Sequence, residues 1–298
     1  MTIVVTGASG FIGRRLLKNF TAAGHEIRVL SRHAGTNLPA GIKLFPWDPL
    51  EGPPPEESLR GADAVVHLAG EPVAQRWTEA ARRRIRESRV TGTRNLVAGL
   101  ARMVRPPEAL VSASAVGYYG SRGDQVLRES DPPADDWLAG VCVEWEKEAG
   151  TAAALGVRVA PIRIGIVLDP RGGALKKMLP PFRMGVAGPL GNGKQWMPWI
   201  HLADLASLFQ FVVETPLRGP LNGAAPYPVT NTEFTRDLAR AVHRPALIPA
   251  PPFVLKLMFG EMSQVLLASQ RVVPAAAEAA GFRFRFPQLA PALANLLD

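Results

Sequence analysis

Thr6-Gly7-Ala8-Ser9-Gly10-Phe11-Ile12-Gly13 follows the apolar run Ile3-Val4-Val5 close to the start of the chain. The run reads as a buried strand, and the segment from Phe11 to about Ala23 as a helix. Between them the glycines are spaced Gly-x-x-Gly-x-x-Gly. Gly7 permits a tight turn, Gly10 lets the backbone approach a pyrophosphate, and Gly13 lets the helix pack against the strand. The helix N-terminus adds N–H donors and the positive end of its dipole. A glycine triplet alone is a weak signal, but here it leaves a strand and opens a helix, as a dinucleotide-binding turn does. Ser9, Phe11 and Ile12 belong to the same cofactor-binding loop.

Strand and helix signals alternate outward from this turn. Strands are predicted at Glu26–Leu30, Ile42–Phe45, Ala64–Leu68, Ala109–Ser112 and Val157–Ile164. Helices are predicted at about Glu57–Arg60, at Trp77–Met103 with a break near Gly92, and at Trp137–Ala154. Such alternation predicts an α/β fold, a Rossmann-type doubly wound parallel sheet. After about Ile166, Pro and Gly cluster and the rhythm changes. The expected organisation is a cofactor domain over 1–165 and a smaller C-terminal substrate domain over 166–298, partly interleaved with the first.

The 298 residues are 47% hydrophobic, enough for a sizeable core, and contain one cysteine, Cys142, so no internal disulfide forms. Neither a secretory leader nor an apolar run of membrane-spanning length is visible, and the reading is a soluble cytoplasmic protein with no membrane partner. Net charge is +8. The densest basic run, Arg82-Arg83-Arg84-Ile85-Arg86, lacks interleaved aromatics and reads as a solvated helix face, not a nucleic-acid surface. The single Cys and five scattered His do not make a metal-ligand set. A small-molecule substrate is the expected partner; the oligomeric state stays open.

The second strand runs out through Val29-Leu30-Ser31-Arg32-His33. An NAD site usually places an acid here for the ribose 2′-hydroxyl, whereas an NADP site has a basic group nearby. No carboxylate is present, and Arg32, beside Ser31, can pair with a 2′-phosphate. The expected cofactor is therefore NADP(H), with Arg32 as a plain surface residue the alternative.

These motifs resemble the extended short-chain dehydrogenase/reductase family, the NAD-dependent epimerases and dehydratases, over nearly the whole chain. Trp47-Asp48-Pro49 looks like its adenine-contacting Asp motif, and His67-Leu68-Ala69-Gly70 like its fourth-strand motif. By that resemblance Asp48, Leu68, Ala69 and Gly70 join the cofactor-binding residues. Ser112-Ala113-Ser114 looks like its catalytic serine strand, and Trp199-Ile200-His201-Leu202-Ala203-Asp204 like its second-domain segment. Ser114–Gly120, Trp145-Glu146, Gly191–Trp196 and Asn222–Pro226 resemble a subgroup of epimerase-like oxidoreductases, some labelled cell-division inhibitor.

One departure matters. The resemblance implies Tyr-x-x-x-Lys on the helix after the serine strand, with the Tyr handling the proton and the Lys lowering its pKa. Alignment on Glu146 puts Leu138 and Cys142 at those positions, and Arg89 where the family has Asn. Neither Leu nor a neutral thiol in an apolar stretch does that work. Tyr118 and Tyr119, just past Ser114, are the replacement candidates, with Tyr119 preferred because its Tyr-Gly pair resembles that of sugar-nucleotide epimerases. The alternative is that Tyr119 packs beneath the substrate loop. Tyr118-x-x-x-Arg122 imitates the spacing, but on a loop.

Gln195, Trp196 and His201 are the candidate substrate-binding residues, although Trp196 as core filler and His201 as a cap compete with that reading. Glu129 reads more readily as a helix-flanking charge. The apolar stretch Phe253–Leu267 is expected to cover the pocket or an interface, or else to be buried in the second domain. Two functions compete: an NADP(H)-dependent oxidoreductase or epimerase acting on a small polar carbonyl or sugar-like ligand, and a catalytically inactive NADP(H)-binding protein working through a partner.

Overall fold

The computed structural model describes residues 1–32 and 38–297. Its strands run β1 Thr2–Thr6, β2 Glu26–Ser31, β3 Lys43–Pro46, β4 Ala64–His67, β5 Ala109–Ala115, β6 Val126–Leu127 and β7 Arg158–Ile164. Short strands follow: β8 Ile166–Asp169, β9 Trp196–Met197, β10 Trp199–His201, β11 Leu221–Gly223, β12 Val229–Thr230 and β13 Arg271–Val272. Helices α1 Phe11–Ala22, α2 Glu56–Leu59, α3 Glu79–Leu100 and α4 Trp137–Gly150 alternate with the early strands. Later come α5 Gly173–Arg183, α6 Leu202–Glu214, α7 Asn231–Ala241, α8 Pro252–Phe259, α9 Ser263–Leu267, α10 Ala275–Ala279 and α11 Leu289–Leu297.

Seven strands form one parallel sheet in the order β3-β2-β1-β4-β5-β7-β11, the doubly wound α/β architecture. The side-chain period of two explains why both faces are covered. Ile3 and Val5 of β1, Ala64 and Val66 of β4, and Ala109 and Val111 of β5 join one core with Leu16 of α1 and Leu205 of α6. Val4, Val65 and Leu110, the intervening residues, join the opposite core with Leu96 and Leu100 of α3. Ser112 and Ser114 share the parity of Leu110, so β5 turns them toward the α3/α4 face. A further core in the C-terminal half gathers Leu179 of α5, Phe234 and Leu238 of α7, and Leu293 of α11.

Three expectations change. Helix α3 passes Gly92 unbroken; a Cβ there would lie 3.2 Å from Pro49 Cβ, so the glycine serves close packing, not a break. The strand carrying Ser114 continues to Ala115, and α4 ends at Gly150 before a 3₁₀ turn, Thr151–Leu155. Apart from these changes, β11 pairs with β7 in the main sheet and α6 packs on the α1 side, which is the kind of interleaving expected of the second part. Phe253–Leu267 forms α8, a 3₁₀ turn and α9. Leu255 and Met262 are buried, while Phe253, Leu257 and Met258 are more than 60% exposed, so the segment is not enclosed by its own domain.

Candidate functional site

The turn after β1 is built from backbone. Gly7 has φ +68°, and a Cβ there would meet the Leu68 carbonyl carbon at 2.8 Å and Ala69 N at 2.9 Å. A Cβ on Gly13 would strike Gly7 O and lie 2.6 Å from Ala8 Cα, so α1 packs on the turn only as glycine. Helices α3, α4 and α7 begin on side-chain caps, Thr78, Asp136 and Thr230. Helix α1 begins on Gly10 with none, leaving its first N–H groups for another acceptor. Ser9 and Gly10 are exposed on that turn, with Ile12 half-buried behind them. Phe11 contributes backbone, because its ring packs against Gly172 and Gly173.

The ends of β1 and β4 are clamped beside this turn. Thr6 Oγ1 accepts from Leu68 N and Ala69 N, both at 3.1 Å, so its own proton goes to His67 Nδ1 at 2.7 Å. His67 Nε2 then donates to Thr93 Oγ1 at 3.0 Å. That pattern assigns a neutral imidazole, and burial pushes the His67 pKa down to about 4. Leu68, Ala69 and Gly70 thereby form a fixed rim against Gly7. Gly70 abuts the Arg89 guanidinium, 3.3 Å from where a Cβ would stand. Arg89 donates to Glu71 O and Ile85 O, with its guanidinium carbon 5.0 Å from the Trp145 ring centroid. Ser31 ends β2 one residue past the Thr6–Leu30 register, and Arg32 follows it exposed. Asp48 Oδ1 accepts from Leu50 N at 2.9 Å, closing the turn after β3.

Beyond β5 the site is made of side chains. Ser114 Oγ donates to Glu146 Oε1 at 2.6 Å, and Arg163 grips Glu146 through Nε at 2.8 Å and Nη2 at 2.9 Å. The pairing of Ser114 with Arg163 in the β5–β7 register places them side by side. Burial opposes the charge on Arg163, but the Glu146 carboxylate holds its pKa above the usual range. Arg163 Nη1 donates to the Tyr119 hydroxyl at 2.9 Å, and that hydroxyl donates to Asn222 Oδ1 at 2.7 Å. Asn222 N in turn donates to Glu129 Oε1 at 3.0 Å.

Tyr119, the preferred proton donor with packing beneath the substrate loop as its alternative, is a packed side chain in this structure. It has no exposed surface, its hydroxyl is committed on both sides, and burial pushes its pKa up to about 12. Tyr118 is half-buried, with the Arg163 guanidinium carbon 3.5 Å from its ring centroid. Its hydroxyl has no hydrogen-bond partner among the described residues. Leu138 and Cys142 face Gly117, whose Cβ would lie 2.7 Å from Leu138 Cδ2 and 3.9 Å from Cys142 Sγ. Burial pushes the Cys142 thiol up to about 12.

A family model for the NAD-dependent epimerase/dehydratase family matches residues 3–225, and a domain of unknown function, DUF1731, matches 250–296. The chain belongs to the NAD-dependent epimerase/dehydratase family. It is 42% identical to the chloroplastic epimerase family protein SDR39U1 homolog of Arabidopsis thaliana, over 100% of this chain and 87% of that protein. It is 36% identical to the epimerase family protein YfhF of Bacillus subtilis, over 100% of this chain and 98% of that protein. The crystal structure of human epimerase family protein SDR39U1 with NADPH superposes with a TM-score of 0.88 at 35% identity, covering 100% of this chain and 99% of that one.

Within this epimerase-family fold the three substrate candidates separate. His201 Nδ1 accepts from Ala203 N at 2.9 Å as the cap of α6, and its ring stacks on Phe286 at 4.0 Å. Burial pushes its pKa down to about 4. Asp204 accepts from Arg285 N and Phe286 N, so both residues fasten backbone here, as the capping alternative for His201 has it. Gln195 is buried and donates its amide to Leu190 O at 3.0 Å, which ties its own loop. Trp196 stays half-buried, its indole donating to Asp124 Oδ1 at 2.8 Å under the Arg271 guanidinium. Sequence reasoning missed Arg163 altogether and gave Glu146 no role beyond an alignment anchor. The available signal was an arginine following the apolar run Val159-Ala160-Pro161-Ile162 deep in a sheet strand, because buried charges require partners. No helix among the described residues is long and apolar enough to cross a membrane.

Proposed function

We propose that this epimerase-family protein binds NADP(H) in the Gly7–Gly13 turn and acts as an oxidoreductase or epimerase on a small polar carbonyl or sugar-like ligand. The observation that carries the reading is the glycine cradle, where a Cβ on Gly7 would collide with the β4 rim and α1 offers an uncapped N-terminus. The human SDR39U1 structure with NADPH supports it. Arg32, where an NAD site has an acid, supports the phosphorylated cofactor. Ser31 and Asp48 flank the same edge, at the ends of β2 and β3. When bound, the cofactor supplies or takes a hydride.

The protein's own groups then manage orientation and protons. Ser114 donates its proton to Glu146, so toward a ligand its oxygen offers a lone pair and accepts from a ligand hydroxyl. Tyr118 carries the free phenol and is the proton donor or acceptor in this reading, held by the Arg163 guanidinium against its ring. Tyr119 holds that guanidinium and does not touch the reacting atoms. Trp196 walls the ligand side through its half-buried ring.

A second reading, an NADP(H)-binding protein without catalysis, is favoured by the packing of Leu138 and Cys142 against Gly117. Fluorescence titration with NADPH and NADH, followed by a carbonyl-compound screen with NADPH, tests both. NADPH is expected to bind about tenfold to a hundredfold more tightly than NADH, from a charge-assisted contact of about 1.5–3 kcal/mol. Arg32→Ala should erase the difference, and equal affinities in the parent protein reject the cofactor assignment.

A further inference from the structure

The basic surplus of the chain is unevenly matched by acids. Along α3, Arg82, Arg84 and Arg86 are paired with Glu261, Glu71 and Glu144. On α7 Glu233 is committed to the helix N-cap, where it accepts from Thr230 N and Oγ1. Arg236 and Arg240 share Asp237, at 3.0 Å and 3.9 Å, and past the helix and its cap Val242 come His243 and Arg244. Among the described residues the Arg244 guanidinium bonds only to carbonyl oxygens, those of Arg183 and His243. All four cationic or ionisable side chains are exposed, and all four line one groove of about 770 Å³.

The groove has a backbone peculiarity at its rim. His243 has φ +52°, and among the described residues it is the one non-glycine with positive φ. It stands at the left-handed position that ends α7, where Arg244 N reaches back to Ala239 O at 3.1 Å. Glycine is the usual occupant there, because an L side chain crowds its own backbone in that region. Strain kept at such a position points to a use for the side chain. The rest of the lining is mixed: Pro189, Ala246 and Leu247 are apolar, and Thr232 adds a hydroxyl. Thr232 also bonds Gly193 O through both N, at 2.8 Å, and Oγ1, at 3.0 Å. The groove wall is therefore continuous with the 190–196 loop that carries Trp196.

We propose that this groove is a binding site for a phosphate-bearing small molecule of nucleotide size, separate from the Gly7–Gly13 cradle. Arg240, Arg244 and His243 take the phosphates, with Arg236 adding field, since a guanidinium fork matches phosphate oxygens. Pro189 and Leu247 take the flat apolar part of the ligand. The volume falls in the range of small-molecule sites, roughly 300–1,000 Å³. Helix α7 packs against α11, β9 and β12, in the C-terminal core and not on the main sheet. The two sites are therefore held by different elements.

Calorimetric titration of the NADPH-saturated protein with ADP, and in parallel with inorganic pyrophosphate, tests the proposal. Saturable one-to-one binding of ADP is expected, with pyrophosphate weaker because it leaves the apolar lining unused. The double variant Arg240→Ala/Arg244→Ala should weaken ADP at least about tenfold, with NADPH affinity and thermal midpoint unchanged. His243→Gly should raise the midpoint by about 2 °C through relief of strain, yet weaken ADP about threefold. A purely structural histidine would give only the first change. No saturable binding of either probe, binding that survives the double variant, or a preference for heparin over ADP overturns the proposal. Should NADPH itself fail to bind, ADP held in the cradle is lost with Gly7→Val and not with the arginine pair, so the two failures are distinct.

Discussion

The turn after β1 and the loop after β5 both leave central strands of one parallel sheet, and both exit at the same edge. They are built on different principles. The first is a backbone site, in which three glycines, an uncapped helix end and the Thr6–His67 clamp leave little room for any other arrangement. The second is a side-chain site, in which Ser114 and Tyr119 share one stretch of chain and Glu146, Arg163 and Asn222 come from three others. Their bonds decide which hydroxyl is committed and which is free. A backbone site restricts the residue at each position; a side-chain site can exchange its parts while keeping its charge balance.

That contrast can be broken most sharply at the adjacent tyrosines. With a turnover assay in hand, Tyr118→Phe should lower the rate by about 10²–10⁴ and leave stability nearly unchanged. Tyr119→Phe should do the reverse, costing about 1–3 kcal/mol in urea unfolding because Asn222 and Arg163 each lose a buried partner. Large turnover loss in Tyr119→Phe with Tyr118→Phe unaffected would return the proton role to Tyr119.

On the backbone side, Gly7→Val asks for a Cβ where the Leu68–Ala69 peptide lies, at a φ that valine avoids. NADPH affinity should fall by about a hundredfold or more, measured by fluorescence titration. A variant that binds as before would show that the cradle is not the cofactor site.

The clamp itself should respond to pH. His67 is held neutral with its pKa near 4 against an ordinary value of 6.5, and His201 is depressed to about the same level. Between these values the unfolded chain binds protons that the folded chain refuses. Stability is therefore full above about pH 7 and falls as pH drops from 6.5 to 4, by about 3 kcal/mol for the fully buried His67 and by less for His201. Urea denaturation at pH 7.5 and 4.5 measures the loss. His67→Gln should remove part of the pH dependence, and an unchanged slope would mean that His67 is not the group responsible.

The smallest effect is expected at Cys142. Its thiol is buried and held protonated, so iodoacetamide should leave the native protein unmodified while labelling it fully in urea. Cys142→Ala should change NADPH affinity by less than about twofold. Rapid native alkylation would place a reactive thiol where this structure has an apolar contact.

Much of the fold was legible because each sheet strand carries its own apolar run. Ile3-Val4-Val5, Ala64-Val65-Val66 and Leu110-Val111 show the continuous hydrophobicity of strands buried on both faces. Gly92 misled because a glycine in a helical pattern reads as a break, whereas here it makes room for Pro49. Gln195 and His201 were harder to read for a related reason. A polar residue in a motif looks like a ligand contact until its partners, Leu190 O and Ala203 N, are known.

The amino-acid sequence by itself determined the doubly wound sheet, the glycine turn opening α1 and the absence of an acid at the end of β2. These are properties of neighbouring residues: apolar period, glycine spacing, and the charge beside a strand end. Only the tertiary structure decided that Ser114 gives its proton to Glu146, that Arg163 joins it to Tyr119, and that the Tyr118 hydroxyl has no partner among the described residues. Those facts depend on which oxygen lies within about 3 Å of which donor. Residues 17 to 103 positions apart in the chain reach that distance only once the sheet has set β5, β7 and β11 side by side.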